Sequence, residues 1–233
     1  MATTGYNSLI YKFGRGPLST TPAPVWSNGG TYGGFDLLPA TVSVVSSNIG
    51  DTEAGIGARE IRLEGEDANG LQIQENIIMD GTTPVLSTLE FTVVYRAKVI
   101  RSGSIVPLSA NIGTVSFNHQ GAGTPLVATI PATLGQTQMA IFKTPSDQFG
   151  EWVGYQVIPS ALVATNIIII TKKKGAEYPW VAKVVSNVTL EVKEDFSEIP
   201  RRIAPDTYIA VFASVASGTP QITASLSIVL KDA

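Results

Sequence analysis

Apolar and polar residues alternate with period two along most of this chain from Pro39 onward, the pattern of strands with one buried and one wet face. The stretch 221–230 shows it best. There Ile222, Ala224, Leu226, Ile228 and Leu230 alternate with Thr223, Ser225 and Ser227. Further strands are predicted at 41–47, 90–101, 113–117, 126–130, 139–143, 152–158, 167–172, 180–185, 188–193 and 208–213. The isoleucine run 167–170 lacks alternation and is expected to be covered on both faces, with Lys172-Lys173-Lys174-Gly175 as the hairpin tip after it. No amphipathic stretch of helical period extends beyond about three turns.

The sharpest local prediction is a hairpin over residues 61–79. Asn69-Gly70 alone suggests a two-residue loop, but that register sets Leu63 opposite Asn76 and mixes apolar with polar on one face. A three-residue loop, Ala68-Asn69-Gly70 with Gly70 left-handed, pairs Ile61 with Ile77 and Gly65 with Ile73. Arg62, Glu64 and Glu66 then line up with Asn76, Gln74 and Gln72 on the polar face, with Leu63 against Glu75 as the one exception.

Residues 1–40 differ from the rest. Their density of Gly and Pro predicts an extended arm without regular structure, carrying Tyr6, Tyr11, Phe13, Trp26, Tyr32 and Phe35 as aromatic anchors. These rings either dock on the chain's own core or reach a neighbouring subunit. The expected architecture is all-β: an arm over 1–38, then two antiparallel β-sandwich (jelly-roll-like) domains over 39–130 and 131–233. Asn48-Ile49-Gly50 and Asn111-Ile112-Gly113 form a faint internal echo, too weak for a repeat.

Composition narrows the chemistry. Of 233 residues, 67 are Val, Ile or Thr, so strands are favoured throughout. Cys is absent, which removes disulfides, thiolate zinc sites and a Cys nucleophile. A single His excludes a two-His metal site within one chain. A net charge of −3 argues against nucleic acid as a partner, and no apolar run is long enough for a membrane helix. The N-terminus carries no secretory pattern, so synthesis in a cytosol is expected.

Each candidate for catalysis has a simpler explanation. His119 closes a predicted strand and is expected to be exposed or structurally bonded. Gly55-Ile56-Gly57 lacks the third Gly of a phosphate cradle and leads into a strand. The carboxylate pairs Glu64/Glu66 and Glu191/Asp195, with Glu194 nearby, fit solvated sheet faces rather than glycoside hydrolysis. Asp67-Ala68-Asn69-Gly70 starts like a calcium loop but lacks the distal Glu. The Lys172–Lys174 triplet suits a solvated tip that blunts an edge strand. Trp26, Trp152 and Trp180 sit among apolar neighbours, which favours packing over a sugar-stacking platform. No catalytic residue, cofactor or metal is therefore assigned.

Three stretches carry a resemblance. Ser46-Ser47-Asn48-Ile49-Gly50-Asp51-Thr52-Glu53-Ala54-Gly55-Ile56-Gly57-Ala58-Arg59 runs into Ile61-Arg62-Leu63-Glu64-Gly65-Glu66-Asp67-Ala68-Asn69-Gly70, and Asp80-Gly81-Thr82-Thr83-Pro84-Val85 follows. Gln138-Met139-Ala140-Ile141-Phe142 with Thr144-Pro145, and Ile203-Ala204-Pro205-Asp206-Thr207, complete the set. Together they resemble virion structural proteins of tailed bacteriophages, marine ones especially. The resemblance implies a virion component, assembled in the host cytoplasm, whose partners are the major capsid protein or other virion proteins. The leading expectation is a capsid-surface decoration or cement protein that forms a homo-oligomer, with a trimer as one option. A tail- or fibre-associated protein and a carbohydrate-binding module for host-surface glycans are the alternatives.

Overall fold

A computed structural model describes residues 8–103, 110–175 and 181–233, with the side chains of 182–185 left aside. Among the described residues every regular element is a strand. The N-terminal segment supplies β1 (Ser8–Pro17) and β2 (Ala23–Pro24). The middle of the chain supplies β3 (Val42–Ser46), β4 (Ala58–Glu66), β5 (Gln72–Ile78), β6 (Val85–Leu86), β7 (Val93–Ser102), β8 (Val115–His119) and β9 (Leu126–Ile130). The last part supplies β10 (Ile141–Lys143), β11 (Gln148–Pro159), β12 (Thr165–Lys173), β13 (Val181–Val188), β14 (Val192–Asp195), β15 (Arg201–Ile203), β16 (Thr207–Val215) and β17 (Gln221–Asp232).

Two compact units form. The first joins the N-terminal segment up to Thr31 to Met139–Ala233; the second is Tyr32–Gln138. The residues 1–38 expected to act together are thus divided between them. In the first unit one sheet runs β1-β17-β11-β14, with β15 also on β11, and the other runs β10-β16-β12-β13, with β2 on β16. In the second unit the sheets are β6-β3-β8-β9 and β5-β4-β7. The expected pair of jelly-roll-like sandwiches is corrected by this topology. The strands gather into four small sheets of the kind that make propeller blades. Alternation shows which face of a strand is wet but not which strand lies beside it. Register shifts at 152–154, 169–170 and 64–65 locally interrupt and twist the ladders, which continue beyond them.

The Gly/Pro-rich arm is a second correction. Residues 8–17 form a ten-residue antiparallel ladder with β17, from Ser8 opposite Leu230 to Pro17 opposite Gln221. Glycine permits the strand here. A Cβ at Gly16 would collide with the Trp26 carbonyl, and one at Gly14 would lie 2.9 Å from the Ala140 methyl, so β1 lies flat against neighbouring backbone. Pro17 closes the strand, a position where its missing N–H is tolerated.

The hairpin has the three-residue loop expected of it. Ile61 pairs with Ile77, Leu63 with Glu75 and Gly65 with Ile73, and Gly70 has φ of +75°. Asp67 fixes the turn: its carboxylate accepts from the Asn69 and Leu71 N–H groups at 2.8 and 2.9 Å. Those bonds, the one from Leu71 foremost, hold its pKa below the usual carboxylate range. The odd pairing of Leu63 with Glu75 is resolved nearby. Glu75 turns to accept from the Thr88 and Leu89 N–H groups and the Thr88 hydroxyl at 2.8–3.1 Å, while Leu63 stays buried. Of the isoleucine run, Ile167, Ile169 and Ile170 are buried and Ile168 is half-buried, so cover on the second face is incomplete at Ile168.

Candidate functional site

The first and longest of the three motif stretches folds around one carboxylate. Asp51 is wholly buried. Its Oδ1 accepts from the Ala58 and Ile112 N–H groups, each at 2.8 Å. Its Oδ2 accepts from the Ser46 hydroxyl at 2.6 Å and the Gly113 N–H at 2.8 Å. A buried carboxylate without such donors would be strongly destabilising; with four it ties the end of β3, the start of β4 and the 111–113 loop together. The two Asn-Ile-Gly segments meet here. Asn48 Oδ1 accepts from Gly50 N–H at 2.8 Å, and Asn111 Oδ1 accepts from Gly135 N–H at 3.0 Å. A Cβ on Gly57 would strike the Asp51 carboxylate, which explains the glycine. Sequence reasoning found the echo but missed the Asp between its halves. The available signal was an Asp directly after Asn-Ile-Gly and shortly before Gly-x-Gly.

The other two motif stretches meet in the first unit. Lys143, at the end of β10, is fully buried, and its Nζ lies 2.7 Å from Asp206 Oδ1. Asp206 is in the left-handed region at φ +54°, a conformation Asp tolerates better than most residues. Thr144 Oγ1 donates to the Ala204 carbonyl at 2.6 Å and accepts from Thr207 N–H at 3.0 Å. The Thr-Pro and Ala-Pro-Asp-Thr motifs are thus two halves of one clasp.

The remaining candidates are placed as follows. Tyr6 and Trp180 lie outside the described residues. Trp26 is buried and donates from Nε1 to the Gly30 carbonyl at 3.3 Å. Tyr32 is buried in the second unit, edge-on to half-buried Phe35 with ring centroids 4.9 Å apart. Phe13 is half-buried, whereas Tyr11 is 59% and Leu9 68% exposed. Tyr11 and Leu9 share the outer face of β1, which is an edge strand of its sheet. Of the five described aromatic residues of the N-terminal segment, Trp26 and Tyr32 are buried, Phe13 and Phe35 are half-buried, and Tyr11 is exposed.

His119 is buried, its Nδ1 accepting from Gly121 N–H at 3.2 Å and its Nε2 lying 2.8 Å from the Phe91 carbonyl. Both ring nitrogens are thus engaged with backbone groups, and the ring holds a strand end. Glu64 and Glu66, expected together on a solvated face, are separated. Glu64 pairs with Lys98 at 2.7 Å, whereas Glu66 is fully buried and bonded to the Tyr95 hydroxyl. The register shift at 64–65 passes over Tyr95 on β7, between Val94 and Arg96, where its hydroxyl meets Glu66, while β4 itself keeps its register with β5.

Trp152 is buried as well. Its Nε1 donates to the Gly154 carbonyl at 2.8 Å, and its ring packs edge-on against Phe196 at 5.1 Å. The Arg201 guanidinium lies 4.3 Å from the Phe196 centroid and 5.5 Å from that of Trp152. Beside them Tyr155 is buried opposite Glu194, and burial together with that carboxylate pushes the phenol up to about 12. A buried Trp152 offers no stacking face to a sugar.

No protein-family model and no curated protein matches the chain. Among solved structures, one of the Gt strain of infectious bursal disease virus matches at 10% identity and a TM-score of 0.23, over 99% of this chain and 72% of that one. The VP2 subviral particle of the same virus matches at 12% and 0.21, over 97% and 72%. Such scores define no shared fold, and no residue role is carried over from them.

Proposed function

We propose that this chain is a structural protein of a virion, a capsid-surface decoration or cement subunit of a tailed phage. The observation that carries this reading is where the motif residues go. Asp51, Asn48, Asn111, Lys143, Thr144 and Asp206 are all engaged in bonds that tie loops to strand ends. The same is true of His119 and Glu66, the groups best suited to acid–base chemistry. What they build is loops tied to strand ends, with Leu9 and Tyr11 on the β1 edge among the apolar side chains left exposed.

That edge, Leu9 and Tyr11 on β1, is the docking element in this reading. The capsid protein or another virion protein is its partner. A subunit that binds only the assembled shell stabilises it by mass action, and many copies multiply weak contacts through avidity. Deleting the whole N-terminal segment would also remove β1 and β2 from their sheets, so the test uses Leu9→Ser and Tyr11→Ser together. Particles assembled with this variant are expected to carry far fewer copies than those with the native chain. Undiminished occupancy would rule out the β1 edge as the docking element.

A further inference from the structure

The second unit holds five basic residues, Arg59, Arg62, Arg96, Lys98 and Arg101, against ten carboxylates. All five lie on β4 and β7, which pair with each other. The register places Arg62 opposite Lys98, Glu64 opposite Arg96 and Glu60 opposite Arg101. Lys98 is neutralised by Glu64 at 2.7 Å and Arg101 by Glu60 at 3.1 Å. Arg62 and Arg96 have only amide partners among the described residues. Arg62 Nε donates to Asn76 Oδ1 at 3.0 Å, and an Arg96 Nη donates to Gln136 Oε1 at 2.5 Å. Arg96 is exposed and Arg62 half-buried, and exposed Gln72, Gln74 and Asn76 extend the face across β5.

The chemistry of this face selects its occupant. Two guanidinium forks without carboxylates, held in place by amides, match carboxylates on another surface. The face offers no aromatic ring on which a base could stack, and the excess of acid over base in the unit opposes a nucleic-acid backbone. The complementary charge is present on the same unit. Glu53 and Asp80 are both exposed and adjacent, since Thr52 bridges to Asp80 and Glu53 N–H donates to the Met79 carbonyl.

We infer that the Arg62/Arg96 face of β5-β4-β7 docks on the Glu53/Asp80 surface of a second copy of this chain. The two patches differ, so the contact is head-to-tail and repeats into a ring or a row. The inference rests on reading the chain as an assembling structural subunit, but its test needs no virion. Sedimentation velocity of the full-length protein is expected to show a species larger than the monomer at low salt, dissociating as salt screens the contact. The Arg62→Glu/Arg96→Glu variant should self-associate roughly tenfold or more weakly. The Arg62→Gln/Arg96→Gln variant, which keeps polar side chains on the face, should weaken in the same direction. Mixing the Glu variant with a Glu53→Arg/Asp80→Arg variant should restore association, which a merely misfolded variant could not do.

A native chain that is monomeric at every salt concentration would overturn the inference, as would an oligomer indifferent to the arginine changes or a mixture that fails to recombine. Duplex DNA bound through Arg62 and Arg96 would overturn the choice of occupant. Failure of any of these leaves virion occupancy as a separate measurement of the proposed function.

Discussion

Replacing Asp51 with Asn tests how much of the second unit depends on one buried carboxylate. The change is nearly isosteric, so packing is preserved and hydrogen bonding decides the outcome. One side-chain oxygen remains and can keep the Ala58 and Ile112 N–H groups, each now bonded to a neutral acceptor at 2.8 Å. The new NH₂ faces the Ser46 hydroxyl and the Gly113 N–H. The hydroxyl can rotate to accept, but the Gly113 N–H is left facing a donor. An orphaned buried donor costs about 1–3 kcal/mol, and loss of charge assistance at the retained bonds adds about 1 kcal/mol or more. The expected sum is about 3 kcal/mol. Ser46→Ala, which removes one donor to the carboxylate and the part-buried acceptor of the Asn48 N–H, should cost about 1–2 kcal/mol. For a unit of roughly 100 residues, 3 kcal/mol corresponds to a fall in Tm of about 12–24 °C. Scanning calorimetry reads this as a lowered transition temperature. If Asp51→Asn costs no more than Ser46→Ala, the carboxylate is not the tie this account makes it.

Other predictions concern the clasp, the turn and the buried phenol. Asp206→Ala removes the carboxylate 2.7 Å from the buried Lys143 ammonium and should cost about 3–5 kcal/mol in urea unfolding, whereas Lys143→Met, which removes the charge itself, should cost much less. Gly70→Ala forces a Cβ into a left-handed φ of +75° and should lower stability by about 1–2 kcal/mol without changing the hairpin register seen in amide exchange. Tyr155 titrates near 12 in the folded chain against about 10 when unfolded, so its neutral form favours folding. That stability is complete below pH 10 and is lost as pH rises through 12. Tyr155→Phe should therefore flatten the alkaline limb of the stability curve, as followed by circular dichroism against pH.

What the chain disclosed in advance was local. The hairpin register could be read because sliding by one residue would move Ile61, Leu63 and Ile77 to the wet face, an error large enough to exclude. The strands β9, β16 and β17 were legible for the same reason. Which strands become neighbours was not, because β1 pairs with β17 across nearly the whole chain and nothing in either stretch names the other. β1 was obscured by Gly14, Gly16 and Pro17, which read as breakers although close backbone approach and a strand end require them. Glu66 was misplaced because it keeps its register with β5 and is buried all the same, met by the hydroxyl of Tyr95, the residue that the β4-β7 register shift passes over. The motif stretches were visible as sequence, but their role depends on Asp51 meeting donors 61 and 62 residues away, a fact only the fold supplies.

The virion reading depends most directly on how many copies of the chain a particle carries. Quantitative mass spectrometry of purified virions, with the major capsid protein as internal standard, gives that number. A capsid-surface decoration or cement protein is predicted to be present in a fixed ratio to the capsid protein, in tens to hundreds of copies. Absence from the purified particle, or a handful of copies confined to the tail, would contradict the account.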